Sequence, residues 1–417
     1  METLPGNRSA DSLPASARAF FTELGRNVAA PLLATMVDWM IERVRRQQPE
    51  ILLFLSRDGR IIREVWEARC PPDLAGLPTR YALASRRALR VASLERIDGD
   101  LLRLLTHHAE GLPFRELFDS LHLPGQRIEA VIREHSAVDP HAPYHRRQAA
   151  TAAQVLHLLG QDIQRRAGEE REAYLRYLDS LELDGARRVG IVDIGWHGSL
   201  QAALARLLRR RNPDIATRGY YLALFGGASK WRSDRDSMEG CLLQEGEPRV
   251  REGELADCVE LLEFLFSSTE PGLLCFHEKD GRAVPVFMED RRSAYQKEAL
   301  DALREGILEE IGESVPDAGE AYRRFRRLAF HPTREEARFL GRLQARRGFG
   351  KAGLLQPFAQ PGNPVFNILH WGRLYRSFKE ALWRNGYWAA LSRPERALLR
   401  MISPVGTARF IHTSRGR

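Results

Sequence analysis

Between residues 16 and 46, apolar side chains return every three or four positions: Phe20, Leu24, Val28, Leu32, Leu33, Met36, Trp39 and Met40. That period puts them on one face and predicts a helix lying against a sheet. The pattern then changes to an unbroken apolar run, Ile51, Leu52, Leu53, Phe54 and Leu55, which suits a parallel strand buried on both faces. Ser56, Arg57, Asp58 and Gly59 stop that run before a helical pattern over 61–69, and residues 80–84 read as the next strand. A second continuous apolar run at 188–194 passes through a glycine turn into a helix over 199–210, and residues 220–225 supply a further strand.

Residues 95–185 hold helical segments separated by Gly and Pro clusters, without a comparable strand, and are expected to form a helical insertion. From 294 onward the pattern is again helical, over 295–311, 334–346 and 369–388, with a Pro/Gly-rich connection at 356–364. Two stretches show no clear period: 228–255, rich in charge and glycine, and 272–290, where short strands would fit. The first 14 residues read as a polar lead-in. The expected fold class is α/β with a mostly parallel sheet: a catalytic body over 15–290 carrying the insertion, then a mainly helical C-terminal region over 291–417.

Charge alters this picture at one end. The 417-residue chain has 63 basic and 55 acidic side chains, but residues 321–417 alone hold 20 basic and 4 acidic ones. Such a basic segment can meet nucleic acid, an anionic membrane surface or a phosphorylated substrate, or it can be plain solvated surface. Only five of the basic residues are lysines, so a single arginine carries little weight here. Cys70, Cys241, Cys258 and Cys275 are far apart and form neither a C-x-x-C pair nor a zinc spacing, which points to a reduced, cytoplasmic protein. No uncharged apolar run reaches the roughly 18 residues of a membrane span, and the N-terminus lacks a signal-peptide core, so neither secretion nor a membrane span is expected.

Ligands of open α/β sheets bind beyond the carboxyl ends of the strands, which directs attention to three polar loops. In the first, Arg57 can fork onto a phosphate, Asp58 can hold a metal or take a proton, and Gly59 permits the turn; the alternative is an N-capping Asp58 in a surface turn. In the second, Ser85, Arg86, Arg87 and Arg90 can clamp a diphosphate, or can be solvated residues at a helix start. The third holds Asp193, Gly195, Trp196, His197, Gly198, Ser199 and Gln201. Its glycines allow positive φ or close ligand approach, Ser199 can cap the next helix, and Trp196 and His197 add a stacking surface and a titratable group. Glu263, with Glu260 on an amphipathic helix, is a weaker candidate for orienting an acceptor, against a reading as a solvated carboxylate. Absent are G-x-x-x-x-G-K-[ST], a G-x-G-x-x-G after a strand, H-E-x-x-H and G-x-S-x-G, which leaves nucleotide hydrolysis, dehydrogenation, zinc proteolysis and serine esterase chemistry without support.

In order, Leu-Phe-Leu-Ser-Arg-Asp-Gly ending at Gly59, Ala-Ser-Arg-Arg-Ala-Leu-Arg ending at Arg90 and Val-Asp-Ile-Gly-Trp-His-Gly-Ser-Leu-Gln ending at Gln201 make up a set. That set resembles the glycan phosphoribosyltransferase domain of bacterial dual-domain ribofuranosyltransferases, proteins often labelled predicted haloacid-dehalogenase-like hydrolases. The likeness runs from about residue 20 to about 390 and takes in Glu263, Pro332-Thr333 with Gly341, the Gly348-Phe349-Gly350 turn and Trp383-Arg384-Asn385-Gly386. The resemblance implies transfer of 5-phosphoribosyl from phosphoribosyl diphosphate, with Mg2+ as an accompanying ion, to a glycan or lipid-linked glycan in O-antigen or capsule synthesis. For that reaction Asp58 or Asp193 is the expected general base, with His197 positioning donor or acceptor; the basic C-terminal region suits peripheral contact with the inner membrane, and no nucleic-acid partner is expected. The D-x-D-x-[TV] phosphatase hallmark is absent, since Asp193 is followed by Ile194 and Gly195, so a separate phosphatase would remove the 5-phosphate. The two adjacent acids of nucleotide-type phosphoribosyltransferases are absent as well. Two other classes stay open: a non-catalytic polysaccharide-assembly scaffold, and a sugar-phosphate phosphohydrolase.

Overall fold

The computed structural model describes residues 12–402 apart from 108, 184, 248, 313–315 and 348–353. Five strands, β1 (Ile51–Leu55), β2 (Thr79–Ala82), β3 (Arg188–Trp196), β4 (Ala216–Leu224) and β5 (Asp236–Leu243), form an all-parallel sheet in the order β2-β1-β3-β4-β5. The apolar runs of β1 and β3 are continuous because both faces are covered. Leu52, Phe54, Val192 and Ile194 face a core built with the helices Ala30–Gln47 and Gly59–Arg69. Ile51, Leu53, Leu55, Val189 and Ile191 face a second core beneath the helices Gly160–Asp179 and Ser199–Arg211. The protein is thus α/β, as the strand and helix pattern predicts.

The strand β5 lies in the stretch 228–255 that showed no period, and its burial explains why: only one end is fully buried, and half-exposed Glu239, Gly240 and Cys241 interrupt the alternation. The stretch 272–290 forms an antiparallel hairpin of β6 (Leu273–Lys279) and β7 (Arg282–Phe287). In the insertion, the helices Gly99–Thr106, Gly125–His135 and Ala149–Leu158 enclose a core of their own around Leu101, Phe114, Phe118, Ile132 and Val155.

The N-terminal helical segment runs as Ala15–Leu24, a π turn at Gly25–Ala29, and Ala30–Gln47. Against it lies the helix Ala294–Glu310, at a distance only glycine allows: a Cβ on Gly306 would sit 1.9 Å from the Thr22 carbonyl oxygen, and one on Gly25 would sit 2.2 Å from that of Leu303. The start of the C-terminal region therefore shares a core with the sheet. Two helical expectations need correction. The helix expected over 334–346 ends at Leu340, and Gln344–Arg347 is instead a strand, β8, paired with β9 (Leu354–Pro357). The helix expected over 369–388 is broken into Trp371–Glu380 and Arg384–Ala390, because Ala381 leaves the helical region with ψ 133°. The Gly348-Phe349-Gly350 turn and the ends 1–11 and 403–417 lie outside the described residues.

Candidate functional site

In a sheet ordered β2-β1-β3-β4-β5, the chain leaves β1 toward one edge and β3 toward the other. The loops after those two strands diverge and leave a crevice at the topological switch point. A cavity of about 330 Å³ occupies this position, lined by Ser56, Arg57 and Asp58 after β1, Ser85 and Arg86 after β2, Asp193 to Trp196 on β3, and Glu263 from the helix Val259–Phe266. The loops are fastened to each other. Ser56 Oγ donates to the Ala84 carbonyl and accepts from the Ala84 N–H, both at 2.9 Å, while Ser85 caps the helix Arg86–Ala92 through the Ala88 N–H. The Ser56–Arg57 and Gly195–Trp196 peptides are cis.

Asp193 sits within β3 and is buried. Its Oδ1 accepts from the Ile194 N–H at 3.0 Å, while Oδ2 has no partner in the protein. Burial pushes this carboxyl up to about 7; the Ile194 amide and Arg86 pull it back, and the charge of Glu263 adds to the rise. Asp58 takes the N-cap position of the helix Gly59–Arg69, but its side chain makes no capping hydrogen bond, so its carboxyl is not used up in the turn. Its carboxyl is held well above the ordinary aspartate range by desolvation, with Arg57 opposing and the charges of Asp193 and Glu263 reinforcing. Three carboxylates from three elements thus share one crevice. Glu263 Oε1 accepts from Trp196 Nε1 at 3.1 Å, and the Trp196 ring stacks on Phe225 with centroids 5.0 Å apart. Arg57 and Arg86 line the same cavity, and neither guanidinium forms a hydrogen bond or ion pair among the described residues.

Several expected site residues lie elsewhere. Arg87 is fully buried and faces away from the crevice: its guanidinium binds both oxygens of Glu170 and the carbonyls of Ser120 and Leu274, so it is a structural ion pair and not part of a diphosphate clamp. Gln201 is buried in a network with Thr217, Tyr221 and the Ser237 carbonyl. Arg90 pairs with Asp98. His197 is exposed beside the Gly226 carbonyl, 3.3 Å from its Nδ1, and does not line the crevice. Gly59 is required for packing under β1, where a Cβ would meet the Phe54 carbonyl carbon at 2.7 Å. Gly195 does line the cavity, and its φ of +145° with no Cβ leaves room for the Ala223 carbonyl of β4. Gly198, not Ser199, takes the cap position of the helix Ser199–Arg211, in the left-handed region and with no side-chain cap.

Sequence reasoning missed the far wall of the crevice, where Arg292 ties together Asp290 and the carbonyls of Ser268, Thr269 and Glu270. No periodic signal marks that wall, because it follows the hairpin. Mg2+ takes oxygen ligands, commonly one or two carboxylates together with substrate phosphate. The unpartnered Asp193 Oδ2 and the Asp58 carboxyl offer donors of that type, so the residues fit. Among the described residues, His122, Glu170 and Cys275 also bring ligand-type atoms within 4.8 Å of one another, but Glu170 is already held by Arg87 and Arg166. No protein-family model matches the chain, and no curated protein is significantly similar to it.

Proposed function

We propose that the protein is a glycan phosphoribosyltransferase. The observation that carries this reading is the juxtaposition of buried Asp193, whose Oδ2 has no partner, with Asp58, flanked by the guanidinium groups of Arg57 and Arg86, at the switch point of the sheet. In the reaction, the bond from the anomeric carbon of phosphoribosyl diphosphate to its diphosphate breaks, a bond to a glycan hydroxyl oxygen forms, and the hydroxyl proton passes to a carboxylate. A carboxyl lifted to about 7 is matched to that proton transfer near neutral pH. Arg57 and Arg86 offset the charge that grows on the departing diphosphate. Asp58 is the residue that would hold Mg2+, which would neutralise donor phosphate charge, while Asp193 is kept for the proton. Trp196, fixed by Glu263 and Phe225, gives the crevice a rigid aromatic wall.

The scaffold reading has less support, since a buried carboxylate oxygen without a partner, as at Asp193 Oδ2, costs stability and persists where chemistry uses it. A phosphohydrolase of the haloacid-dehalogenase type would need a second aspartate two residues after the first, and Gly195 stands there. We further propose that the acceptor is met at an anionic membrane surface. Val365, Phe366, Ile368, Leu369, Trp371 and Met401 are six of the ten large apolar side chains that are exposed among the described residues, and they occur in the most basic part of the chain. Among the described residues, no helix is long and apolar enough to cross a membrane, so such contact would be peripheral. The test of the donor assignment is thermal protection. Phosphoribosyl diphosphate at about 100 times its dissociation constant adds about 2.7 kcal/mol of stability, whereas an unchanged melting temperature at millimolar donor removes the reading.

A further inference from the structure

Beyond the crevice, a second cavity of about 270 Å³ shares Arg86 and Leu200 with the first. Its lining is strongly cationic: Arg86, Arg90, Arg103, Arg206 and Lys230 surround it, with Asp100 as the one carboxylate, itself paired to Arg103. Arg90 is paired to Asp98, but Arg206 and Lys230 form no ion pair with any described residue. Both lie instead against the face of Trp231, with Lys230 Nζ 4.8 Å and the Arg206 guanidinium carbon 5.9 Å from the ring centroid. Two donors here are buried without acceptors, Arg206 Nε and Trp231 Nε1. In addition, Ser199 and Leu200, the first residues of the 13-residue helix Ser199–Arg211, open onto the cavity, and the Gly198 cap supplies no side-chain acceptor for their amides.

These features share one sign. Cations without counter-charges, buried N–H groups without acceptors and an uncapped helix N-terminus all call for an anion rich in oxygen acceptors. Arg206 is held below its ordinary range by burial and by the repulsion of Arg90, with the charges of Glu95 and Asp98 opposing. We propose that this cavity is an anion subsite that takes a phosphate-ester or diphosphate group, with Arg206, Lys230 and the start of the helix Ser199–Arg211 as its donors and Trp231 as its wall. Such a group has two sources: the diphosphate of a phosphoribosyl donor, or the diphosphate that joins an acceptor glycan to its carrier. Because the assignment needs only the anion, it does not depend on the transfer reaction.

The probe is inorganic diphosphate, titrated calorimetrically into the full chain at fixed ionic strength. Binding is expected, and Lys230→Ala and Arg206→Leu should each weaken the contribution of this subsite by about tenfold, the effect of removing one charge-assisted hydrogen bond. Lys230 is exposed, so its removal leaves the fold intact. A change in tryptophan fluorescence on binding should disappear in Trp231→Phe. Absence of binding at millimolar diphosphate, or equal affinity in wild type and both charge variants, overturns the proposal. The two sources separate on titration of Lys230→Ala with phosphoribosyl diphosphate. A tenfold loss assigns the group to the donor, and unchanged donor affinity beside weakened diphosphate binding assigns it to the acceptor.

Discussion

Replacing Asp193 by asparagine should make the protein more stable at alkaline pH while removing its activity. The carboxyl stands at about 7 in the fold against 3.8 for the free group, a rise of roughly three units. At 1.36 kcal/mol per unit, the fold disfavours the charged form by about 4 kcal/mol. Because the folded value is raised, the stability held by the protonated carboxyl is fully present below about pH 3.8 and is lost as pH rises through about 7. The amide that replaces the carboxyl has no such titration. The variant should therefore gain on wild type by about 3 kcal/mol between pH 5 and pH 8, and the difference should level off above about pH 8. Urea unfolding of both proteins across this range measures it, since titrations common to the two cancel in the difference. On the same preparations turnover should fall by on the order of 100-fold or more, as for the loss of a general base. A difference that stays flat from pH 5 to pH 8 would refute the burial argument and, with it, the ground for Asp193 as the base.

Two further outcomes follow from the same geometry. Glu170→Gln leaves the buried Arg87 guanidinium without its counter-charge, so urea unfolding should show a loss of about 3–5 kcal/mol; a change below about 1 kcal/mol would contradict the structural role of this pair. Liposomes containing anionic lipid should co-sediment with the protein at low salt, less so at physiological ionic strength, where charges are screened over about 8 Å, and less again in Leu369→Ser/Trp371→Ser; sedimentation unaffected by these substitutions would discard the exposed apolar patch as the contact.

What the sequence made legible was what depends on short-range pattern. The unbroken apolar runs at β1 and β3 announce strands buried on both faces, and the polar residues that end them mark the crevice, so Asp58, Asp193, Arg57 and Arg86 were found together. Pattern alone cannot tell which way a side chain points when its partner lies far along the chain. Arg86 and Arg87 are adjacent, yet one faces the cavity and the other turns into the core, because its partner Glu170 arrives from the last helix of the insertion, far along the chain. For the same reason Gln201 read as a ligand contact, although its partners Thr217 and Tyr221 come from β4. The wall formed by Arg292 and the cavity around Arg206, Lys230 and Trp231 were invisible, because Arg292, Lys230 and Trp231 come from segments without a period of their own and meet the helix that carries Arg206 only in the fold.

The central claim is tested most directly by following phosphoribosyl diphosphate with the purified protein, with and without a lipid-linked oligosaccharide extract, by product mass and by diphosphate release. Release of diphosphate only when acceptor is present, with a glycan heavier by one phosphoribosyl group, is the predicted result. Inorganic phosphate released without acceptor, or a donor that binds and never turns over, would contradict it.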